Sequence, residues 1–236
     1  MVEHDAIYKQ LFAHPRMVAD LIAGFVREPW VASLDFSTLE RLPASFIAAD
    51  RRRRDSDMVW RARLGADWVY LYVVLEFQAS VDADMALRLL VYTGLLLQDL
   101  IARGQIPSGG PYPPVLPLVF YTGDRRWLAS TSLEDQRPPL PPELVPYQLS
   151  CRYVLLDEGR LPESDLPGPE NLVGLVVRAD QASELHALRR VVRSLLAHLQ
   201  APEFSELKRA ILSWARSLLR PALGDVQPAL VEAVIH

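Results

Sequence analysis

The sequence predicts an α/β domain in which a mixed sheet is flanked by helices, followed by a helical C-terminal region. Three observations carry that reading. Two β-rich runs, 55–64 and 68–77, stand back to back across Gly65-Ala66-Asp67; a helical pattern over 83–103 follows them; and a short apolar strand, Leu116 to Tyr121, follows the helix. Helices and strands in that order build layered α/β domains.

Asp5 can cap a first helix whose apolar positions Ile7, Leu11, Phe12, Val18, Leu21, Ile22 and Phe25 keep helical spacing, with Pro15 placed to kink or interrupt it. The second β-rich run abounds in Val, Leu and Tyr, and a short glycine-containing link between two such runs predicts a hairpin. In the next helix Met85, Leu89, Tyr92, Leu96 and Leu100 recur at helical intervals, and Gly104 stands where a C-terminal cap is needed. Pro114 and Pro117 on one side and Thr122-Gly123-Asp124 on the other bound the strand that follows. A further strand is expected at 148–156. Beyond Gly168 the pattern predicts helices near 170–178, 181–199, 203–219 and 226–235, the clearest being 181–199 through Leu185, Leu188, Val192, Leu195 and Leu199.

Proline placement divides the chain. Three of its 19 prolines precede residue 107, five fall within 107–117 and five more within 138–146. Residues 1–104 therefore read as regular, densely packed structure, 105–170 as loops alternating with strands, and 171–236 as helical. The predicted division is a sheet-containing domain over 1–165 and a helical region over 166–236 packed on it. No capping signal stops the last helix at His236, so the natural chain can continue beyond it.

Composition bounds the function. With half its 236 residues apolar and 23% charged, the chain can bury a substantial core and has no long stretch of disordered character. No run approaches the roughly 20 apolar residues of a membrane span, and Glu3, His4 and Asp5 depart from the basic-then-apolar order of a signal peptide, so a cytoplasmic protein without a membrane partner is expected. Cys151 is the only cysteine, which excludes internal disulfides and cysteine-rich zinc sites and leaves oxygen ligands or histidines for any metal. His186 and His198 stand too far apart for a zinc pair on one helical turn and are expected on a polar face. No G-x-x-x-x-G-K-[ST], G-x-G-x-x-G or G-x-S-x-G motif occurs, so neither a nucleotide cofactor nor the commonest serine-hydrolase design is expected. The net charge of −4 is not that of a wholly basic DNA-binding module, but a local basic rim around an acidic site is compatible with it.

The hairpin holds the chemistry. If Leu64 faces Val69, paired residue numbers sum to 133 and Asp57 stands directly opposite Glu76, with Gln78 two residues on and on the same face. Two carboxylates about 5 Å apart repel one another unless a cation lies between them. Mg²⁺ suits such a site, because it takes carboxylates, a backbone carbonyl and retained waters, and the carbonyl of Phe77 is a natural third ligand. An ion held there can activate a water for attack on a phosphodiester. From spacing alone, solvated acids at strand ends explain the same pattern.

Five segments change that balance: His4-Asp5-Ala6-Ile7-Tyr8-Lys9-Gln10-Leu11-Phe12, Leu34-Asp35-Phe36-Ser37-Thr38-Leu39-Glu40, Asp55-Ser56-Asp57-Met58-Val59-Trp60, Glu76-Phe77-Gln78-Ala79-Ser80 and Met85-Ala86-Leu87-Arg88-Leu89-Leu90-Val91-Tyr92. In this order they resemble the successive blocks of the recombination-promoting nuclease family, whose members also carry a transposase label, and the match extends over roughly residues 4–125. The resemblance implies a PD-(D/E)XK restriction-endonuclease-like fold and DNA cleavage dependent on Mg²⁺ or another divalent cation such as Mn²⁺ or Ca²⁺. Asp57 matches the motif aspartate, Glu76 the second acidic ligand, and Gln78 the place usually held by lysine. That last position departs from the superfamily pattern, because an amide can orient a water but carries no positive charge.

Lys9 and Arg88 are the candidates for a replacement cation. Lys9 follows Asp5 by four residues and fits an exposed helix ion pair equally well. Arg88 shares a helix face with Tyr92, where sheet packing with the charged tip in water is the alternative to a phosphate contact. Arg51, Arg52, Arg53 and Arg54 immediately precede the motif strand and can grip a DNA backbone, or form a solvated loop. Asp5 or Glu3 can add a carboxylate from the first helix. Two functions follow: an endonuclease acting on DNA in recombination, mobile-element biology or defence, as monomer or homo-oligomer; and a degenerate nuclease fold that binds DNA or a protein without cutting.

Overall fold

A computed structural model of the chain describes residues 2–43, 57–76 and 81–223. These form two compact units, one from residues 33–157 and one in which the N-terminal helices join those beyond residue 157.

The first unit is built on a five-stranded sheet of β1 (Leu34–Arg41), β2 (Asp57–Leu64), β3 (Asp67–Glu76), β4 (Val115–Tyr121) and β5 (Val154–Asp157), ordered as in the sequence. β1, β2 and β3 are antiparallel, whereas β4 lies parallel to β3 and β5 parallel to β4. A two-residue loop can join only antiparallel strands, and the parallel β3–β4 pair needs the long crossover that holds α1 (Met85–Ala102). The fold is thus the mixed α/β class expected, in keeping with the PD-(D/E)XK architecture.

The hairpin register differs from the expected one by two residues. Leu64 pairs with Asp67, not Val69, and Asp57 pairs with Val74, not Glu76. The cause is Gly65, whose φ of 64° provides the tight turn and lets Asp67 join the strand rather than the loop. β1 is a strand that periodicity did not predict, because along Leu34–Arg41 only Leu34 is buried and no alternation marks it. It is held at the edge by Arg61, whose guanidinium donates two bonds to Glu40, at 3.0 and 2.8 Å. Arg61 and Arg63 both stack on the Trp68 ring, 4.4 and 4.0 Å from its centre. β5 is shorter than the expected 148–156, because Cys151 to Tyr153 bond to residues 131–133 rather than to β4: the Leu133 N–H donates to the Cys151 carbonyl at 2.9 Å and the Tyr153 N–H to the Thr131 carbonyl at 3.0 Å.

Helix α1 covers one sheet face. Its Met85, Leu89, Tyr92, Leu96 and Leu100 stripe is buried with Val59, Tyr70, Val119 and Tyr121 of the strands. Gly104 closes it at φ 67°, and the Gln105 N–H donates to the Leu100 carbonyl at 2.9 Å. By length and composition this helix could cross a membrane, contrary to the expectation that no run comes near that limit. Its apolar stripe is buried against the sheet.

The second unit contains α2 (Val2–Phe12), α3 (Pro15–Phe25), α4 (Leu172–Asp180), α5 (Leu185–Ala197) and α6 (Ser205–Leu223). The single expected N-terminal helix is two, because Pro15 opens a new one and the His14 imidazole caps it, accepting from the Arg16 N–H at 3.2 Å. The sequence division at residue 165 grouped these helices with the sheet; in the structure α2 packs on α6 and α3 on α4. Asp20 ties α3 to α4: its carboxylate accepts from the Leu172 N–H at 2.7 Å and from Arg16 at 2.9 Å, while its carbonyl accepts from Asn171 at 2.8 Å. Tyr8 is buried with its hydroxyl within hydrogen-bond reach of both Glu158 and Asp180. Burial pushes its phenol pKa well up, with the two carboxylates adding to the effect, so it stays protonated. α5 begins later than expected because Gln181 closes α4, donating to the Val177 carbonyl at 3.0 Å. The helix expected at 226–235 lies outside the described residues.

Two stability predictions follow from this packing. Leu96, fully buried between α1 and the sheet, should cost about 2–5 kcal/mol when truncated to Ala, read by urea unfolding; a loss below about 1 kcal/mol would mean that α1 is not packed there. Burial is the largest influence on Asp20 and raises its pKa above the ordinary 3.8. The folded chain therefore holds that proton more tightly than the unfolded chain, and stability is lost as pH rises from that value through the raised one. The stability difference between Asp20→Asn and the parent should move in the variant's favour across that window. Movement the other way would show that Arg16 outweighs burial.

Candidate functional site

Asp57 is the first residue of β2 and Glu76 the last of β3. Because Asp57 pairs with Val74, Glu76 stands two residues beyond the partner of Asp57. A displacement of two preserves the alternation of faces, so register puts both residues on one face, the one whose Val59, Tyr70 and Val119 pack under α1. They are diagonal neighbours rather than directly opposite. Such neighbours lie about 7–8 Å apart, a spacing wide enough to hold an ion with water in its remaining positions.

The register also reveals a residue that sequence reading missed. Glu76 pairs with Tyr121, and Tyr121 with Asp157 at the end of β5, so three strand ends form one row. Asp157 accepts the Trp127 N–H at 3.0 Å. Trp127 in turn makes edge contacts with Tyr121, at 5.0 Å between ring centres, and with Tyr153, at 6.4 Å, and its indole N–H donates to the Tyr153 hydroxyl at 3.0 Å. Burial raises the Tyr153 pKa to about 12, which keeps that hydroxyl protonated. An apolar pair followed by an acid, Leu155-Leu156-Asp157, was the available signal, but nothing in it gave the alignment with Glu76.

Arg88 lies on the first turn of α1 and pairs with Asp82 at 2.7 Å, a pair largely shielded from water. Its charge is thus already matched by a carboxylate. Tyr92, one turn on, is buried in the core under the sheet face, so the packing reading applies to it. Asp5, Glu3 and Lys9 lie in α2, in the helical unit, with Lys9 half-buried. Arg51 to Arg54, Phe77 and Gln78 lie outside the described residues. His186 and His198 are exposed and engaged separately, His186 with Glu184 at 3.1 Å and His198 with the Pro169 carbonyl at 3.0 Å. Among the described residues no group of three His, Cys, Asp or Glu could hold a metal ion. Asp57 and Glu76 remain the acids that the sequence proposes for a metal, hard oxygen ligands of the kind that Mg²⁺ takes in ones and twos.

Comparison with known proteins gives the chain its family. The family model described as "Putative transposase, YhgA-like" matches residues 2–206. Recombination-promoting nuclease RpnD of Escherichia coli O157:H7 is 31% identical over 122 residues, 52% of this chain and 46% of its own length. Recombination-promoting nuclease RpnC of Escherichia coli K12 is 23% identical over 198 residues, 84% of this chain and 58% of its own. A third relative, also from Escherichia coli K12, is named "Inactive recombination-promoting nuclease-like protein RpnE" and is 32% identical over 121 residues, 51% of this chain and 39% of its own. The chain spans about half the length of these curated relatives. No solved structure matches it significantly.

Proposed function

The chain belongs to the YhgA-like transposase family, and from that premise we propose that it is a divalent-metal-dependent DNA endonuclease linked to recombination or mobile elements. The observation that carries the reading is the common sheet face of Asp57 and Glu76, two acids from separate motif blocks, joined to relatives named as nucleases. Asp57, Glu76 and the backbone carbonyl of Phe77 would hold Mg²⁺, which when bound supplies an activated water and offsets the charge that develops at the phosphate. The Gln78 amide would orient that water or a phosphate oxygen, through an N–H donor or its carbonyl. It brings no charge, so the candidates within the sheet unit for a cation beside the scissile phosphate are Arg88 and the Arg51 to Arg54 run. Arg88 would serve by sharing its guanidinium between Asp82 and the phosphate. The protein would work in the cytoplasm on DNA, alone or as a homo-oligomer.

A second reading keeps the fold and drops the chemistry: a degenerate nuclease that binds DNA or a protein. It is favoured by Gln78 in the lysine position and by a similarly close relative that is named inactive.

Plasmid nicking in Mg²⁺, beside thermal melts, separates the two. The parent should nick only with the divalent ion, and Asp57→Asn should abolish nicking while leaving the metal-free melting temperature equal or higher, since it removes a like-charge repulsion. Mg²⁺ at ten to a hundred times its dissociation constant should stabilise the parent by about 1–3 kcal/mol and the variant by little. Nicking that survives Asp57→Asn would remove Asp57 from the mechanism. A metal-free loss of several kcal/mol would make it a structural residue.

A further inference from the structure

Helix α5 is one of the places where the charge of the molecule runs against its average, and among the described helices it is the one with basic residues and no acid. The whole chain carries 29 acidic against 25 basic residues, yet α5, Leu-His-Ala-Leu-Arg-Arg-Val-Val-Arg-Ser-Leu-Leu-Ala, holds three arginines and no acid. Its Leu188, Val192, Leu195 and Leu196 are buried in the helical unit. The opposite face shows His186, Arg190, Arg193 and Ala197 to water, with Arg189 half-exposed at its margin. Surface helices ordinarily balance such residues with acids one turn away. Here, among the described residues, the one acid at the helix is Glu184, engaged by His186 at 3.1 Å, and none of the three arginines has an ion-pair partner.

We propose that this face of α5, carried by Arg190 and Arg193 with Arg189 beside them, is a docking surface for the phosphate backbone of duplex DNA. The proposal rests on the nuclease reading for the identity of its ligand. The three guanidiniums lie within about 6 Å of helix axis, so adjacent phosphates of one strand can each meet a planar donor fork, and guanidinium binds phosphate bidentately. A lipid surface fits less well. An interfacial helix inserts its apolar face, whereas the apolar face of α5 is already buried, Leu195 completely. A protein partner also fits less well, because the arginine anchors of protein interfaces sit among aromatic and apolar side chains, and the exposed face of α5 offers beside its arginines only His186 and Ala197. Contacts to phosphate read no sequence, so the surface would hold duplex of any sequence.

The test is duplex binding by the full chain in EDTA, where no cleavage occurs, over a range of salt. Arg190→Gln with Arg193→Gln removes two exposed charges and should leave the melting temperature unchanged. The slope of log K against log salt should become shallower by roughly 0.9 per lost phosphate contact, and low-salt affinity should fall on the order of tenfold or more. Arg190→Lys with Arg193→Lys keeps the charge and should retain the slope. A glutamine variant with the parental slope and affinity would overturn the proposal. So would a substitution that leaves DNA binding intact but abolishes binding to phosphatidylserine vesicles, or to an acidic polypeptide. Nicking scored in parallel separates this from the reading it rests on: nicking with an unchanged slope removes the α5 surface alone, whereas a salt slope that depends on Arg190 and Arg193 without any nicking keeps the surface and removes the nuclease.

Discussion

Gly65, at positive φ in a two-residue loop, sets the register of β2 against β3, and the rest of the sheet inherits it. Side chains alternate faces along a strand, so a slip of one residue would exchange the two faces of β2, moving Val59 away from α1 and Met58, Trp60 and Ala62 towards it. In the observed register Val59 meets Tyr72 and Arg61 meets Tyr70, and β3 carries the same alternation into β4 through Tyr70 and Val115. The face so defined is the one on which α1 buries its stripe. Asp57 and Glu76, at the strand ends, share that face by the same rule. Core and candidate site therefore depend on one geometric condition.

The packing makes that condition costly to break. α1 contributes Leu89, Leu96 and Leu100, each fully buried, and each is worth about 1.5–3 kcal/mol relative to exposure. The edge is fastened separately, by the two bonds from Arg61 to Glu40 and by the stacking of Arg61 and Arg63 on Trp68. The helical unit uses polar ties instead: Asp20 satisfies the orphan Leu172 N–H at the start of α4, and Asn171 caps that helix through the Gly174 N–H at 2.8 Å.

Much of the fold was legible because its periodic signals are strong. The α1 stripe, its glycine stop and the amphipathic α5 could be read directly, since a regular burial pattern leaves a regular sequence pattern. Other features depend on partners distant in sequence. β1 has no alternation because it is an edge strand with one buried residue, and the row joining Glu76, Tyr121 and Asp157 exists only once β4 and β5 lie parallel to β3. The hairpin was legible as a hairpin but not in its loop length: Gly65-Ala66-Asp67 reads equally as two residues or three, and the difference moves Asp57 from a position opposite Glu76 to a diagonal one. The grouping of α2 and α3 with the C-terminal helices was invisible for the same reason, since the Asp20 to Leu172 bond spans most of the chain. Asp57 and Glu76 were singled out through chemistry and family resemblance, and the register, shifted by two, leaves both positions on one sheet face.

The central claim is that Asp57 and Glu76 act together on one divalent ion. Its most direct measurement is Mn²⁺ binding followed by the spin-resonance signal of the free ion, in the parent, Asp57→Asn and Glu76→Gln, with folding checked by melting. One site per chain that weakens greatly in either single variant, with little further loss in the double variant, is the predicted result, because removing either ligand dismantles a shared site. Binding that persists in both single variants, or losses that simply add, would contradict it.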